Sequence, residues 1–294
     1  MTFPIQNSNT TAPTIASGAG QTDIAASDMY RMSKIFCDDV SVLPMSANGL
    51  RVLHVLLHAT CRDLSVWSPT IRQPPGGHRA RCMVLRHTLG LERARGNRDL
   101  TSGIANLNET NIFEMIDFQH GNTWLMWRFE DAMLRTILDG DRYGLLDASA
   151  LRTFGKVADY QIFGQVSVVR RTRKAAFEID ITQAGIWTEK VHARWSDVSA
   201  IIIEAIRLSC AHYGLTAVVL LEGRGSVAGI DTVVVRLRRP GGLWSASAIA
   251  KCSSWTRHCL VIDGSRHIRV TPTDLPSVVE AAKKVGWRLV LLEP

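Results

Sequence analysis

From Met29 onward the chain moves between segments of helical and of strand period, and the order of those segments carries most of its structural information. In Ser46 to Ala59, Leu50, Leu53 and Leu57 fall at helical spacing with Val52 and Leu56 alongside. Ser46 suits an N-cap, because its hydroxyl can accept from the open N–H groups of a first turn. After an irregular stretch holding Pro69, Pro74, Pro75, Gly76 and Gly77, a second helix is predicted from about Arg79 through Leu85 to Leu89, ended by Gly90. The run LGLERARGNRDLTSGIANLNETNIFEMIDFQHGNTWLMWRF then predicts a turn and a short helix from Asp99 to Asn108. Two strands follow, Ile112 to Phe118 and Thr123 to Phe129, around the turn His120, Gly121, Asn122. Ile104 and Leu107 should face the core, which leaves Arg98, Thr101, Ser102 and Asn106 on the open face of that helix.

A related order recurs. Ala150 to Val168 is helix-like, Ala175 to Ile181 alternates as a strand, Thr182 to Val191 is a short helix, and Ser196 to Tyr213 is a longer one closed by Gly214. Strands Thr216 to Leu221 and Ile230 to Arg238 follow, joined by the glycine-rich turn Glu222 to Gly229. Residues 241 to 294 fall outside both repeats: His258 to Val270 can form a hairpin around Asp263 and Gly264, Thr273 can cap a helix through Lys284, and Arg288 to Leu292 is a last strand. Residues 1 to 28 are dominated by small and polar side chains with no apolar period and read as a disordered tail. Each repeat has the helix, turn, helix, hairpin order of a winged helix. The expected class is therefore α+β: a tail (1–28), two tandem winged-helix domains (29–135 and 136–240) and a small appended C-terminal α/β unit (241–294).

Composition agrees with that plan and narrows the partners. A chain of 294 residues, 46% hydrophobic and 21% charged, can bury the cores of two ordinary domains. No apolar run approaches the length of a membrane span, and the first Lys or Arg is Arg31, so neither a membrane partner nor a charged leader is expected and a cytoplasmic protein is. The six cysteines are scattered without a paired framework, which predicts reduced, mostly buried thiols. The net charge of +7 rests on 27 Arg and 7 Lys against 27 acids. Guanidinium forks suit phosphate, so the balance points to a polyanion partner.

On this ground the sequence resembles the tandem winged-helix replication initiators of plasmids, which bind repeated origin sites called iterons. The resemblance covers roughly residues 45 to 240. It is carried by the LNETNIFEMIDF helix-to-wing junction, the DRYGLLDASALRTFGKVADYQIFGQ connection, the FEIDI strand, and the run from Trp195 through EAIRL to GRGSVAGIDTVVVRL. It implies that the second domain reads double-stranded DNA in the major groove, that the first adds backbone and dimer contacts in a possible homodimer, and that host replication proteins are partners. The family's second recognition helix carries basic residues near its start, whereas this one shows Ser196, Asp197, Ser199, Ala200 and Ile201. Charge lies on its flanks instead. Arg170, Arg171, Arg173 and Lys174 precede the strand, Arg194 precedes the helix, Arg224 is in the turn, and Arg236 and Arg238 end the last strand. With Arg79, Arg81, Arg98, Thr101, Ser102, Asn106, Ser196 and Ser199, these form the expected DNA-binding set. A transcriptional regulator on the same fold is the rival binding reading, and an enzyme using residues 241 to 294 the rival of another class.

Catalytic and cofactor chemistry finds little support in the sequence. The glycines 223, 225 and 229 follow an apolar strand, but Ile230 to Val235 is β-branched and strand-like rather than the helix a dinucleotide loop opens. No G-x-x-x-x-G-K-[ST] loop occurs, so ATP for origin melting would have to come through another protein. His54 and His58 stand four apart on a helix without a zinc peptidase's glutamate and read as packing or surface histidines. Cys252, His258, Cys259 and His267 have the ligand types of a structural zinc site but not the spacing of a finger. The paired histidines of nicking initiators are absent, so Tyr30, Tyr143, Tyr160 and Tyr213 are not expected as nucleophiles. Trp124, Trp127, Trp187 and Trp195 are expected as core anchors. No cofactor, metal or catalytic residue is expected.

Overall fold

The computed structural model describes residues 28–64, 72–92, 96–138, 142–182, 194–224, 229–238, 256–263 and 266–270. β1 (Met29–Ser33) leads into α1 (Lys34–Val42), and the Ser33 hydroxyl caps that helix by accepting from Phe36 N at 3.1 Å. α2 (Ala47–Asp63) begins where the sequence predicts, with Ser46 Oγ accepting from Gly49 N at 3.0 Å. Every residue from Val52 to Cys61 is buried, because α2 is apolar nearly all round and fills the centre of the core.

β2 (His78–Arg81) occupies the start of the helix expected from Arg79, and α3 (Cys82–Thr88) begins only after it. The period there is two: His78 and Ala80 are buried while Arg79 and Arg81 are exposed, so the segment is strand-like and pairs along a ladder. α4 (Arg98–Leu107), β3 (Phe113–Gln119) and β4 (Trp124–Phe129) fall where expected, and the antiparallel sheet runs β2-β4-β3. The turn between β3 and β4 is left-handed at His120 (φ 50°), Gly121 (62°) and Asn122 (65°), a conformation that Gly and Asn adopt at low cost.

α5 (Asp131–Leu138) leads to β5 (Tyr143–Asp147), which pairs with β1 and ties the start of the described chain to its middle. The helix expected from Ala150 divides into a 3₁₀ turn, Ala148–Arg152, and α6 (Val157–Val169). Asp159 causes the restart: its Oδ2 accepts from the backbone N–H of Gly155 at 2.9 Å and Lys156 at 2.8 Å, satisfying donors that a new helix leaves open.

β6 (Ala176–Asp180), α7 (Trp195–Tyr213), β7 (Thr216–Glu222) and β8 (Thr232–Arg238) follow the expected order, with Gly214 closing α7 at φ 58°. β9 (Thr256–Asp263) and β10 (Arg266–Val270) form the hairpin read in the appended unit, but they continue the same antiparallel sheet, ordered β10-β9-β7-β8-β6. The reason lies in β7. Ala217 to Leu221 are buried on both faces, as in a central strand, and such a strand takes a neighbour on each side. The expected tail (1–28) apart from Asp28, the expected helix Thr182 to Val191 apart from Thr182, the helix over 273–284 and the strand over 288–292 lie outside the described residues.

The architecture is α+β, with helices packed on small antiparallel sheets and one contiguous core running from Tyr30 to Ile262. Among the described residues, no helix is long and apolar enough to cross a membrane.

Candidate nucleic-acid interface

The expected contact residues of the first half gather at the turn end of the three-stranded sheet. α4 buries Leu100, Gly103, Ile104 and Leu107 and turns Arg98, Thr101 and Ser102 to the surface. Its start is fixed to the turn by Asn97, whose side-chain amide donates to the Asn122 carbonyl at 2.6 Å. α3 is fixed to the same place through Cys82 N, which donates to the Thr123 carbonyl at 3.0 Å. Beside it, on the outer face of the sheet, the guanidiniums of Arg79 and Arg81 lie 5.0 and 5.3 Å from the centre of the Trp124 ring. Three exposed guanidiniums and two exposed hydroxyl side chains thus stand on elements tied to one turn, residue types suited to phosphate oxygens. Trp124 is only half-buried there and differs from the core anchor expected, while Trp127 is fully buried and donates from Nε1 to Thr60 Oγ1 at 2.9 Å. Trp195 is half-buried against the core, and Trp187 lies outside the described residues.

Asn106 does not join this group. Its Oδ1 accepts from Ser46 N at 2.8 Å and Ser46 Oγ at 3.1 Å, which turns it toward the start of α2 rather than toward a groove.

The second half separates its expected residues into three sets. Arg170 belongs to the fold: its guanidinium stacks 4.0 Å from the Tyr213 ring centre and donates to the Leu145 carbonyl at 3.3 Å. Arg171, Arg173 and Lys174 are exposed in the turn that Thr172 Oγ1 closes by donating to the Val169 and Lys174 carbonyls. Leu237 N donates to the Ala175 carbonyl at 2.7 Å, so Arg236 and Arg238 on β8 stand beside that turn. The Arg170–Tyr213 stack sets this basic group at the C-terminal end of α7. Cations also stabilise helix C-termini, and α6 ends there too. Arg194, Ser196 and Ser199 lie at the opposite end of α7, a distance of about 28 Å along a helix of 19 residues. The basic turn therefore does not flank the start of α7, as the sequence order suggests.

Arg224 is engaged within the protein. It holds Glu178 through two bonds of 2.7 and 3.1 Å and Glu222 through Nε at 2.7 Å, and these bonds raise its pKa and lower that of Glu178. A guanidinium facing two carboxylates has little charge left for a phosphate. Residues 225–228 of its turn lie outside the described residues.

His54 Nδ1 is 2.6 Å from the Tyr30 hydroxyl, and burial lowers its pKa to about 3. His58 packs edge-on against Tyr30. Cys37, Cys61, Cys82 and Cys210 are buried and form no disulfide, and burial pushes the Cys61 and Cys82 thiols up to about 12 and 11, far from the thiolate form. Among the described residues, no three His, Cys, Asp or Glu side chains are grouped to hold a metal. Cys252 lies outside them, as do the side chains of His258, Cys259 and His267.

No family model matches this chain, and no curated protein is significantly similar to it.

Proposed function

We propose that this protein binds double-stranded DNA sequence-specifically through two tandem winged-helix units and initiates plasmid replication at origin repeats. The order of elements supports the fold assignment. α2, β2, α3, α4, β3 and β4 follow one another with β2 beside β4, and β6, α7, β7 and β8 repeat the strand part of that plan with β6 beside β8. The observation that carries the functional reading is the α4 face. Arg98, Thr101 and Ser102 are exposed on a helix whose start is held against the hairpin turn by the Asn97–Asn122 bond. The net charge of +7 favours a polyanion. In this reading no cofactor is needed, and host replication proteins supply the ATP-dependent steps.

The test is binding of the full chain to its own upstream DNA, mapped by footprinting and followed against salt. Protection of direct repeats about two helical turns apart supports initiation, whereas protection of one palindrome favours a regulator. An affinity that stays flat from low to physiological salt overturns the DNA reading, since neutralising phosphates releases counterions.

A further inference from the structure

A second basic feature lies away from the α4 face. A cleft of about 300 Å³ is lined by Arg72, Gln73, Arg128, Asp131, Leu134 and Arg135. It lies between the segment preceding β2 and the face of α5, at the far end of β4 from the turn. From Trp124 to Arg128 the strand covers about 13 Å.

The walls are tied together by hydrogen bonds and ion pairs. Gln73 brackets Phe129, donating to its carbonyl at 2.8 Å and accepting from its N–H at 2.9 Å, and it also donates to Asp131 at 2.8 Å. Arg128 pairs with Glu114 at 2.6 Å and Asp131 at 3.5 Å and donates to the Pro74 and Pro75 carbonyls. The one carboxylate in the lining is thereby occupied. Arg72 and Arg135 are exposed and make no ion pair or side-chain hydrogen bond among the described residues. Arg128 is offset by Glu114 and Asp131, so three guanidiniums against two carboxylates leave one positive charge in excess, and the guanidiniums without a carboxylate partner among the described residues are Arg72 and Arg135.

We propose that this cleft binds a phosphoanion, with Arg72 and Arg135 as its ligands and the fixed Arg128–Gln73–Asp131 network as its frame. Paired guanidinium forks match the charge and oxygen spacing of a phosphate better than those of a monoanion. The volume is at the lower end for small-molecule sites and suits one phosphate-bearing group. The phosphate belongs either to a free small molecule or to a DNA backbone.

The experiment is thermal unfolding of the full chain in inorganic phosphate against chloride at matched ionic strength, for the wild type and the double variant Arg72→Ala, Arg135→Ala. The wild type should gain about 3 °C at ten times the Kd, and the double variant should gain nothing. Both chains should fold alike in chloride, since the replaced side chains are exposed. No gain in the wild type, or an equal gain in both, overturns the site. Titration with a mononucleotide, and competition of phosphate against duplex binding, identify the source. A mononucleotide that binds without displacing duplex marks a free ligand, and phosphate that displaces duplex only from the wild type marks a backbone contact. The phosphate titration contains no DNA, so failure of the DNA reading leaves its result intact.

Discussion

Asn106 on α4 caps α2 across the fold, its Oδ1 accepting from both the backbone N–H and the hydroxyl of Ser46, 60 residues earlier in the chain. Ser46 in turn accepts from Gly49, so the start of α2 and the last turn of α4 are ordered by one chain of bonds. The helix that presents Thr101 and Ser102 is thereby anchored to α2, which is buried throughout from Val52 to Cys61.

Asn106→Ala should cost about 1–2 kcal/mol of stability, the usual loss for a helix cap and its bonds. DNA sequence preference should stay unchanged. Urea unfolding and a binding selection on the same variant check both halves, and a changed preference at full stability would return Asn106 to the groove.

Arg98, Thr101 and Ser102 should behave in the opposite way. Arg98→Ala should weaken binding to all duplexes and lower the salt slope by about 1, while Thr101→Ala or Ser102→Ala should cost about 1–3 kcal/mol at particular bases only. Anisotropy titrations across salt and across single-base variants of the protected site separate the two effects.

At Gly103 the backbone of α4 lies close against α2. A Cβ there would stand 2.5 Å from both the Asn48 carbonyl and Val52 Cγ2, and the first of these is backbone that cannot rotate away. Gly103→Ala should therefore destabilise by about 1–3 kcal/mol or more despite alanine's better helix propensity. A thermal melt equal to the wild type would show that the helices separate without cost.

Arg224→Ala should also act on stability. Glu222 has a side chain only 4% exposed and loses its bond to Arg224, and Glu178 loses two bonds, so a loss of about 1–3 kcal/mol is expected. The pairing is legible only in three dimensions, since Glu178 is on β6, 46 residues away. A variant that keeps full stability but alters sequence preference would contradict this assignment.

The sequence made α2, α4, the β3–β4 turn and α7 legible, because each has a strong period and a local stop signal such as Ser46 or Gly214. It concealed what depends on distant partners. Arg79 and Arg81 read as the start of a helix until the β4 ladder is known, and β9 reads as part of a separate unit until it is seen completing the apolar strand β7. Among the candidate contacts, exposure was legible for Arg98, Thr101 and Ser102 because helical period sets it. The commitments of Asn106, Arg170 and Arg224 were not, since each rests on a partner 25 residues or more away.

His54 sets an acid limit on the fold. Its ring is buried between Tyr30, whose hydroxyl lies 2.6 Å from Nδ1, and Tyr160, whose ring centre is 5.5 Å away, and burial holds its pKa near 3. In the unfolded chain an ordinary histidine titrates near 6.5. Above that pH both states carry a neutral ring, and the residue contributes no pH dependence. Between pH 6.5 and 3 the unfolded state binds one more proton than the folded state, so stability falls as pH falls, by about 1.4 kcal/mol per unit at most. By pH 5 about 2 kcal/mol should be gone. Urea unfolding at pH 7 and pH 5 measures this, with His54→Asn as the control. That variant should be less stable at both values but should lose about 2 kcal/mol less between them, and an identical loss in the two chains would show that His54 is not the group that titrates.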